Sequence, residues 1–416
     1  MSRNYLLQLP QKELKLIRFI GKEARKRGWS AYLVGGVVRD LLLKEPNLDL
    51  DIVVEGDAIN LGRSLANQLK VRFVTYQQFG TATLYGDKGN RMDLSTARFE
   101  HYPYPGALPV VKGGTIKDDL FRRDFTVNAM AMALDENHFG RLVDYYGGEK
   151  DLRNRKIRIL HKKSFWDDPT RILRAVRFEQ RLGFRLEPQT LKLLKEALKR
   201  GLPGYVTSPR YFAEFKKILR ERSVIKPLRR LEQLGGMASF HLKSKIDFPK
   251  IAFMEKKLNA LPPGVSVEKW VVHFLAITES WEERQRQEFR HQFQLDNQAK
   301  RALQEGQDKE NVVGSLLKPG VASSDIYKVL QPYGAEVIVY IWSTTRNRRI
   351  ALCIERFWDK LQKIKLRING DDLKKLGITS GVEIGRVLQE LLYFKLDRSL
   401  PTKNDELKVA RNLAGG

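Results

Sequence analysis

Along the first third of the chain, apolar residues come in short runs separated by turn-forming residues. Further on they recur at helical spacing. The runs at 32–34, 50–54, 71–76, 82–85, 91–94 and 131–134 predict strands. Between them, 37–43 and 58–69 have the period of a helix, and the opening segment MSRNYLLQLPQKELKLIRF predicts an amphipathic helix. Residues from about 28 to 155 therefore predict a mixed α/β unit, and from about 156 the pattern is helical to the end. The strongest interruptions in the helical part lie at 201–209 and at ALPPG, 260–264, with a further punctuated stretch at 368–385. There is no low-complexity tract and no internal repeat.

With 416 residues the chain is too long for one compact core, so two to four domains are expected. Lysine and arginine number 75 against 49 acidic residues, giving a net charge of +26 and a pI near 9.9. An excess of that size points to a polyanionic partner, most simply nucleic acid. Dense basic clusters run from Lys216 to Arg230, from Arg346 to Arg349 and from Lys360 to Arg367, with Trp342 and Trp358 nearby in sequence. Such clusters would grip a folded RNA by its backbone, although each taken alone is also what a solvated helix face looks like. Cys353 is the single cysteine, which excludes a disulfide framework and a multi-cysteine zinc site and fits a reducing cytoplasm. No apolar stretch approaches the roughly 18 residues that span a bilayer, and no signal-peptide core is present. The histidines, His241 among them, form no HxxxHD signature, so an auxiliary metal-dependent phosphohydrolase domain is not expected.

The candidate chemistry begins in AYLVGGVVRDLLLKEPNLDLDIVVEG. Gly35 and Gly36 turn a strand into a helix whose first backbone N–H groups are suited to cradling a triphosphate, with Arg39 within bidentate reach of its oxygens. Asp49 and Asp51 project from the same face of the next strand, because strand side chains alternate with period 2. Two adjacent carboxylates repel unless a cation lies between them, and magnesium is the natural candidate beside phosphates. Taken singly, the Gly-Gly turn is a common connection and the Asp-x-Asp a common strand end. Asp93 in RMDLSTAR is a third carboxylate candidate, or else a surface acid pairing with Arg91 or Arg98.

The segment KDDLFRRDFTVNAMAM places Arg123, Asp124 and Asn128 at the entry to an apolar stretch. Arg123 is suited to neutralising triphosphate charge, and an Arg–Asp pair here is equally suited to a structural role. In SFWDDPTRILRAVRFEQRLGF, Asp167 or Asp168 is expected to cap a helix with Pro169 in its first turn. Arg171, Arg174 and Arg177 then recur every three residues as a basic stripe. Cytosine and adenine both present an amino donor beside a ring-nitrogen acceptor. A carboxylate with a guanidinium three residues on, Asp168 with Arg171, is therefore placed to select those two bases together.

The segments GGVVRD…DLD, RRDFTVNAMAM, VDYYGGEKDL and DDPTRILRAVRFEQRLGF, in that order, resemble the class II tRNA nucleotidyltransferase and bacterial poly(A) polymerase family. The resemblance is strong over roughly 30–220, and INGDDLKKLGITSGVEIGRVLQELL is a weaker echo of the C-terminal segment of the tRNA-repairing branch. It implies an α/β nucleotidyltransferase head, 1–155, followed by an all-α neck at 156–230, body at 231–355 and tail at 356–416 that binds tRNA. By the same resemblance, Gly36, Arg39 and Arg123 would contact the nucleotide, Asp49 and Asp51 would hold Mg2+, and Asp168 with Arg171 would read the base, supported by Arg174 and Arg177. The expected reaction is untemplated addition of C, A or both to the tRNA 3′ end from CTP and ATP, with release of pyrophosphate. A poly(A) polymerase, or a catalytically silent RNA-binding protein on the same fold, are the alternatives. One departure is visible: the Glu-Asp pair that commonly opens the family's base-reading helix is Asp167-Asp168 here. The loop from Arg98 to Arg122, rich in proline and glycine, looks in its YPGALP portion like members that add only CC or only A.

Overall fold

A computed structural model describes residues 4–86, 91–240 and 246–414; residues 1–3 of the expected N-terminal helix, and His241, lie outside them. The chain forms two compact units, Met1–Ile218 with Lys226–Leu242, and Leu219–Ile225 with Lys243–Gly416.

In the first unit, α1 (Gln11–Arg25) begins after Pro10, which cannot donate into a preceding helix. The opening segment is therefore a short 3-10 turn, Tyr5–Gln8, and then a helix, rather than one helix throughout. There follow β1 (Ser30–Val34), α2 (Gly36–Leu43), β2 (Leu50–Glu55), α3 (Ala58–Leu69), β3 (Arg72–Tyr76), β4 (Thr81–Tyr85) and β5 (Arg91–Thr96). Asp57 caps α3 by accepting from Asn60 N at 2.9 Å. Next come β6 (Arg98–His101), β7 (Val110–Gly113), α4 (Ile116–Phe121), β8 (Ala131–Ala133) and β9 (Leu142–Val143). The main sheet runs β3-β4-β5-β2-β1-β8-β9, with β2 and β5 parallel and the other neighbours antiparallel. Strands β1 and β2 are apolar and buried along most of their length, as central strands must be. Val34, Val53, Ala97, Leu120, Ala129 and Ala131 close a core against them.

Beyond the sheet lie α5 (Gly148–Arg153), β10 (Lys156–Ile157), α6 (Ser164–Asp167), α7 (Thr170–Leu182) and β11 (Arg185–Leu186). Two expectations need correcting. The segment 98–122 is not simply a loop, since β6 and β7 pair as a hairpin and α4 follows. The helical part also opens with a short parallel pair, β10 with β11, which is too short to leave a period in the sequence.

Helix α7 buries Ile172, Leu173 and Val176 and stops at Gly183, whose φ of 65° is the left-handed cap. Of the two aspartates before it, Asp168 does the capping: its Oδ1 accepts from Thr170 N at 3.1 Å and from Thr170 Oγ1 at 2.7 Å. Asp167 instead closes α6, and α7 starts one residue after Pro169.

The second unit is helical throughout its described residues. The apolar helices Lys269–Thr278 and Ala335–Thr344 are its buried members, and Leu373, Val387, Leu391 and Ala410 centre a C-terminal cluster. Trp342 and Trp358 belong to the interior, 5% and 4% exposed with ring centroids 5.6 Å apart, and so are core residues rather than part of a basic surface. No described helix is long and apolar enough to cross a membrane.

Candidate nucleotide site

A cavity of about 620 Å³ opens in the first unit where the β1–α2 turn, the start of β2 and one face of α7 meet. Gly35 and Gly36 line it from the turn and Arg39 from the first turn of α2, with Asp51 on β2 and Asp49 just ahead of it. The segment after α4 contributes Arg123, Asp124 and Asn128, and the start of α7 contributes Asp168, Arg171 and Arg174. Of the residues singled out in the sequence, Asp93 and Arg177 are not in this lining.

Gly35 is required at the turn. Its φ of +77° lies in the left-handed region, and a Cβ there would stand 2.9 Å from Arg123 Nη1. Gly36 is less constrained, since a Cβ at that position would meet nothing nearer than Arg39 Nη2 at 3.6 Å. Arg39 is 3% exposed, and its bidentate partner is the neighbouring Asp40, with Nε at 2.7 Å and Nη2 at 2.9 Å. Its Nη1 donates to Asn128 Oδ1 at 2.7 Å. Asn128 Nδ2 donates in turn to Asp124 Oδ1 at 2.9 Å, and Arg174 donates to Asp124 Oδ2 from Nη2 at 2.6 Å and Nε at 2.9 Å. One chain of charge-assisted bonds thus ties α2, just after the Gly35–Gly36 turn, to α7. Burial pushes the Asp124 carboxyl up, but Arg174 and Asn128 outweigh it and hold it down at about 2.

The carboxylates sit at the other end. Register places Asp51 opposite Asp93 on the parallel strands β2 and β5, a juxtaposition that no local pattern reveals. Burial pushes Asp51 up to about 6, and the nearby charges of Asp49 and Asp93 add to this against the pull of Arg123. Asp93 accepts from Thr83 Oγ1 at 2.6 Å and pairs with Arg91 at 3.5 Å, and Arg91 lies 3.9 Å from Asp49. Among the described residues no three His, Cys, Asp or Glu side chains are gathered into a metal-holding group. The donor chemistry nevertheless suits a hard divalent cation: oxygen ligands only, with one carboxylate whose ionised form is disfavoured mainly by burial and further by Asp49 and Asp93. Arg123 faces the same region. Its Nη2 donates to the buried Asp119 at 2.9 Å, while its Nε is buried with no hydrogen-bond partner among the described residues. An orphaned cationic donor beside a phosphate-type turn fits an anionic ligand.

At the α7 end, Arg171 is 4% exposed and fixed by Ser164 Oγ at 2.7 Å and the Arg122 carbonyl at 2.6 Å. Asp168 is held by its cap to Thr170 and by Arg210 at 3.6 Å. The lining also includes residues that the sequence reading missed, notably Tyr102, Phe178 and Arg181. Arg181 was findable: a helix turns 100° per residue, so positions 171, 174, 178 and 181 share one face and 177 drifts off it. Arg177 instead stacks over the Phe178 ring at 4.8 Å.

The family described as Poly A polymerase head domain matches residues 31–158. An A-adding tRNA nucleotidyltransferase of Geobacter sulfurreducens is 36% identical over 418 residues, covering 98% of this chain and 48% of that protein. The chain spans about half the length of the curated relatives it matches. Among solved structures, an apo form of a CCA-adding enzyme aligns with a TM-score of 0.77 at 33% identity, over 98% of this chain and 99% of that one. The Thermotoga maritima CCA-adding enzyme in complex with tRNA aligns with a TM-score of 0.73 at 33% identity, over 99% and 100%. The chain belongs to the tRNA nucleotidyltransferase and poly(A) polymerase family. Members of this family generally use divalent metal ions.

Proposed function

We propose that this chain is a Mg2+-dependent, template-independent nucleotidyltransferase of the cytoplasm that extends the 3′ end of tRNA with A, C or both, using ATP and CTP. The observation that carries the reading is the gathering of the Asp49/Asp51 carboxylates, the Arg123 donor and the Asp168–Arg171 pair on one cavity. The Geobacter relative favours addition of A, and the aligned solved structures favour the full CCA sequence.

In this reading Asp49 and Asp51 hold the metal, and Asp93, in register with Asp51, adds negative charge beside them. The bound metal would supply Lewis acidity at the phosphates and lower the pKa of the attacking hydroxyl. The amides at the start of α2 with Gly36, and the Arg123 guanidinium, bind the triphosphate and neutralise charge developing on it. Arg39 acts through Asp40 and Asn128, keeping the turn in place, and Asp124 with Arg174 anchors that chain on α7. Asp168 accepts from the amino group of C or A, and Arg171 donates to the adjacent ring nitrogen. Both are held by protein contacts before any base arrives, so selection requires no template strand. Arg177 supports the helix beside them. The head, neck, body and tail division at 1–155, 156–230, 231–355 and 356–416, with the tail on tRNA, belongs to the same reading.

Asp49→Ala tests it. Nucleotide addition should fall by at least about 100-fold while tRNA affinity stays within about 3-fold. Retained addition would remove the metal-holding role.

A further inference from the structure

A second cavity, of about 480 Å³, shares Glu100, Tyr102, Arg122 and Arg171 with the nucleotide cavity. Its remaining wall is different in kind. Phe99, Phe121 and Trp166 line it, and Phe99 and Phe121 are unusually open for large apolar side chains, at 42% and 37% exposed. The Phe121 ring is backed by His161 at 4.9 Å and Tyr146 at 5.6 Å between centroids, so its orientation is fixed. Lys162 and Lys163 stand exposed on the same wall.

Of the carboxylates that line it, Glu100 is engaged by Arg98, Arg122 and Tyr102 and Asp118 by Thr115, which leaves Asp167, the residue that departs from the family pattern; it faces this cavity and not the nucleotide cavity. Its side chain is 16% exposed, and the basic group paired with it is His161 Nε2 at 3.7 Å. Burial, with Arg171 and Lys163 nearby, pushes His161 down to about 4, so at neutral pH that partner carries no charge. The 3.7 Å separation is too long for a hydrogen bond, so Asp167 keeps acceptor capacity to offer a ligand. Open aromatic faces, two lysines and an inward carboxylate acceptor together describe a stacking pocket for a base on a phosphate backbone.

We propose that this second cavity binds an unpaired, amino-bearing nucleobase of the RNA acceptor end. The base stacks against Phe121 and Phe99, Asp167 accepts from its exocyclic amino group, and Lys162 and Lys163 meet the adjoining phosphates. Uracil, which has no amino group, is disfavoured. The proposal rests on the reading of the chain as an RNA-extending enzyme and adds to it a subsite for the strand being extended.

The test is a fluorescence-anisotropy titration of the full chain with hairpin RNAs whose single-stranded 3′ tails end in CC or UU, with ATP affinity and tail extension measured in parallel. The wild-type chain should bind the CC tail at least about 5-fold tighter than the UU tail. Asp167→Asn should erase that preference. Phe121→Leu, which keeps apolar bulk but removes the ring face, should weaken both tails by about 10-fold. ATP affinity should be unchanged in both variants, which also reports that they are folded. A wild-type chain that extends RNA with no tail preference, or variants that bind both tails as the wild type does, would overturn this proposal alone. So would an Asp167→Asn change that moves ATP affinity as much as RNA affinity. A wild-type chain that neither binds nor extends these RNAs would overturn it together with the reading beneath it.

Discussion

Replacing Asp124 by asparagine changes one atom of a buried network and so isolates the charge that ties the phosphate-side turn to α7. Asp124 Oδ1 accepts from Phe125 N at 2.8 Å and from Asn128 Nδ2, and an asparagine oxygen can still do both. The loss falls on Oδ2, which faces two donors of Arg174. A carboxyl held at about 2 rather than at 3.8 corresponds to roughly 2 to 3 kcal/mol of stability, at more than 1 kcal/mol per pH unit. Because its folded-state value is depressed, that stability is fully present above pH 3.8 and is lost as pH falls through about 2. At pH 7 Asp124→Asn should therefore cost roughly 2 to 3 kcal/mol, and the gap from wild type should close as pH falls from about 4 to about 2. With two compact units in the chain, global melting mixes transitions, so the readout should be hydrogen exchange of α7 amides in urea. Catalytic efficiency with ATP should fall as well, because the Arg174 released by the change lines the nucleotide cavity. A pH-independent gap, or a cost below about 0.5 kcal/mol, would refute the network argument.

Other outcomes follow from the same geometry. Gly35→Ala should lower kcat/KM for ATP by at least about 10-fold, since it meets both a left-handed φ and Arg123, whereas Gly36→Ala should change it by less than about 3-fold; steady-state kinetics of the two variants separate these cases. Arg171→Ala should narrow discrimination of ATP and CTP against GTP and UTP by about 10-fold or more while leaving triphosphate affinity nearly intact, and competition assays with the four nucleotides read this directly.

Much of this was legible because the signals are local. The apolar runs of β1, β2, β4 and β5 and the helical period of 58–69 appear in the fold nearly where the pattern puts them. Asp49 and Asp51 line the same cavity, as their spacing suggested, although β2 begins only at Leu50 and Asp49 lies just ahead of it. What escaped is non-local or too short to be periodic. Asp93 was already a candidate on a strand beside the other two aspartates, and only its register against Asp51, which depends on β2 pairing with a strand about forty residues away, was not readable. The β6–β7 hairpin is obscured by the proline- and glycine-rich stretch between its strands, and β10–β11 is too brief to register. Arg39 was legible as a cation beside the Gly-Gly turn, but not as a buried donor already committed to Asp40 and Asn128. Charge clusters proved the least transparent. Arg230 is engaged by Glu179 at 2.7 Å and Arg220 by Glu268 at 3.0 Å, partners that lie far off in sequence.

The most direct test of the central claim is extension of one tRNA, prepared ending before CCA and ending in CC, followed at single-nucleotide resolution with Mg2+, CTP and ATP. The account predicts a short, self-limiting addition: three residues on the shorter tRNA, two on it, or a single A on the CC form. A long ladder of A would contradict the tRNA-end assignment in favour of poly(A) synthesis, and no extension of either form would contradict the assignment of the cavity as a catalytic site.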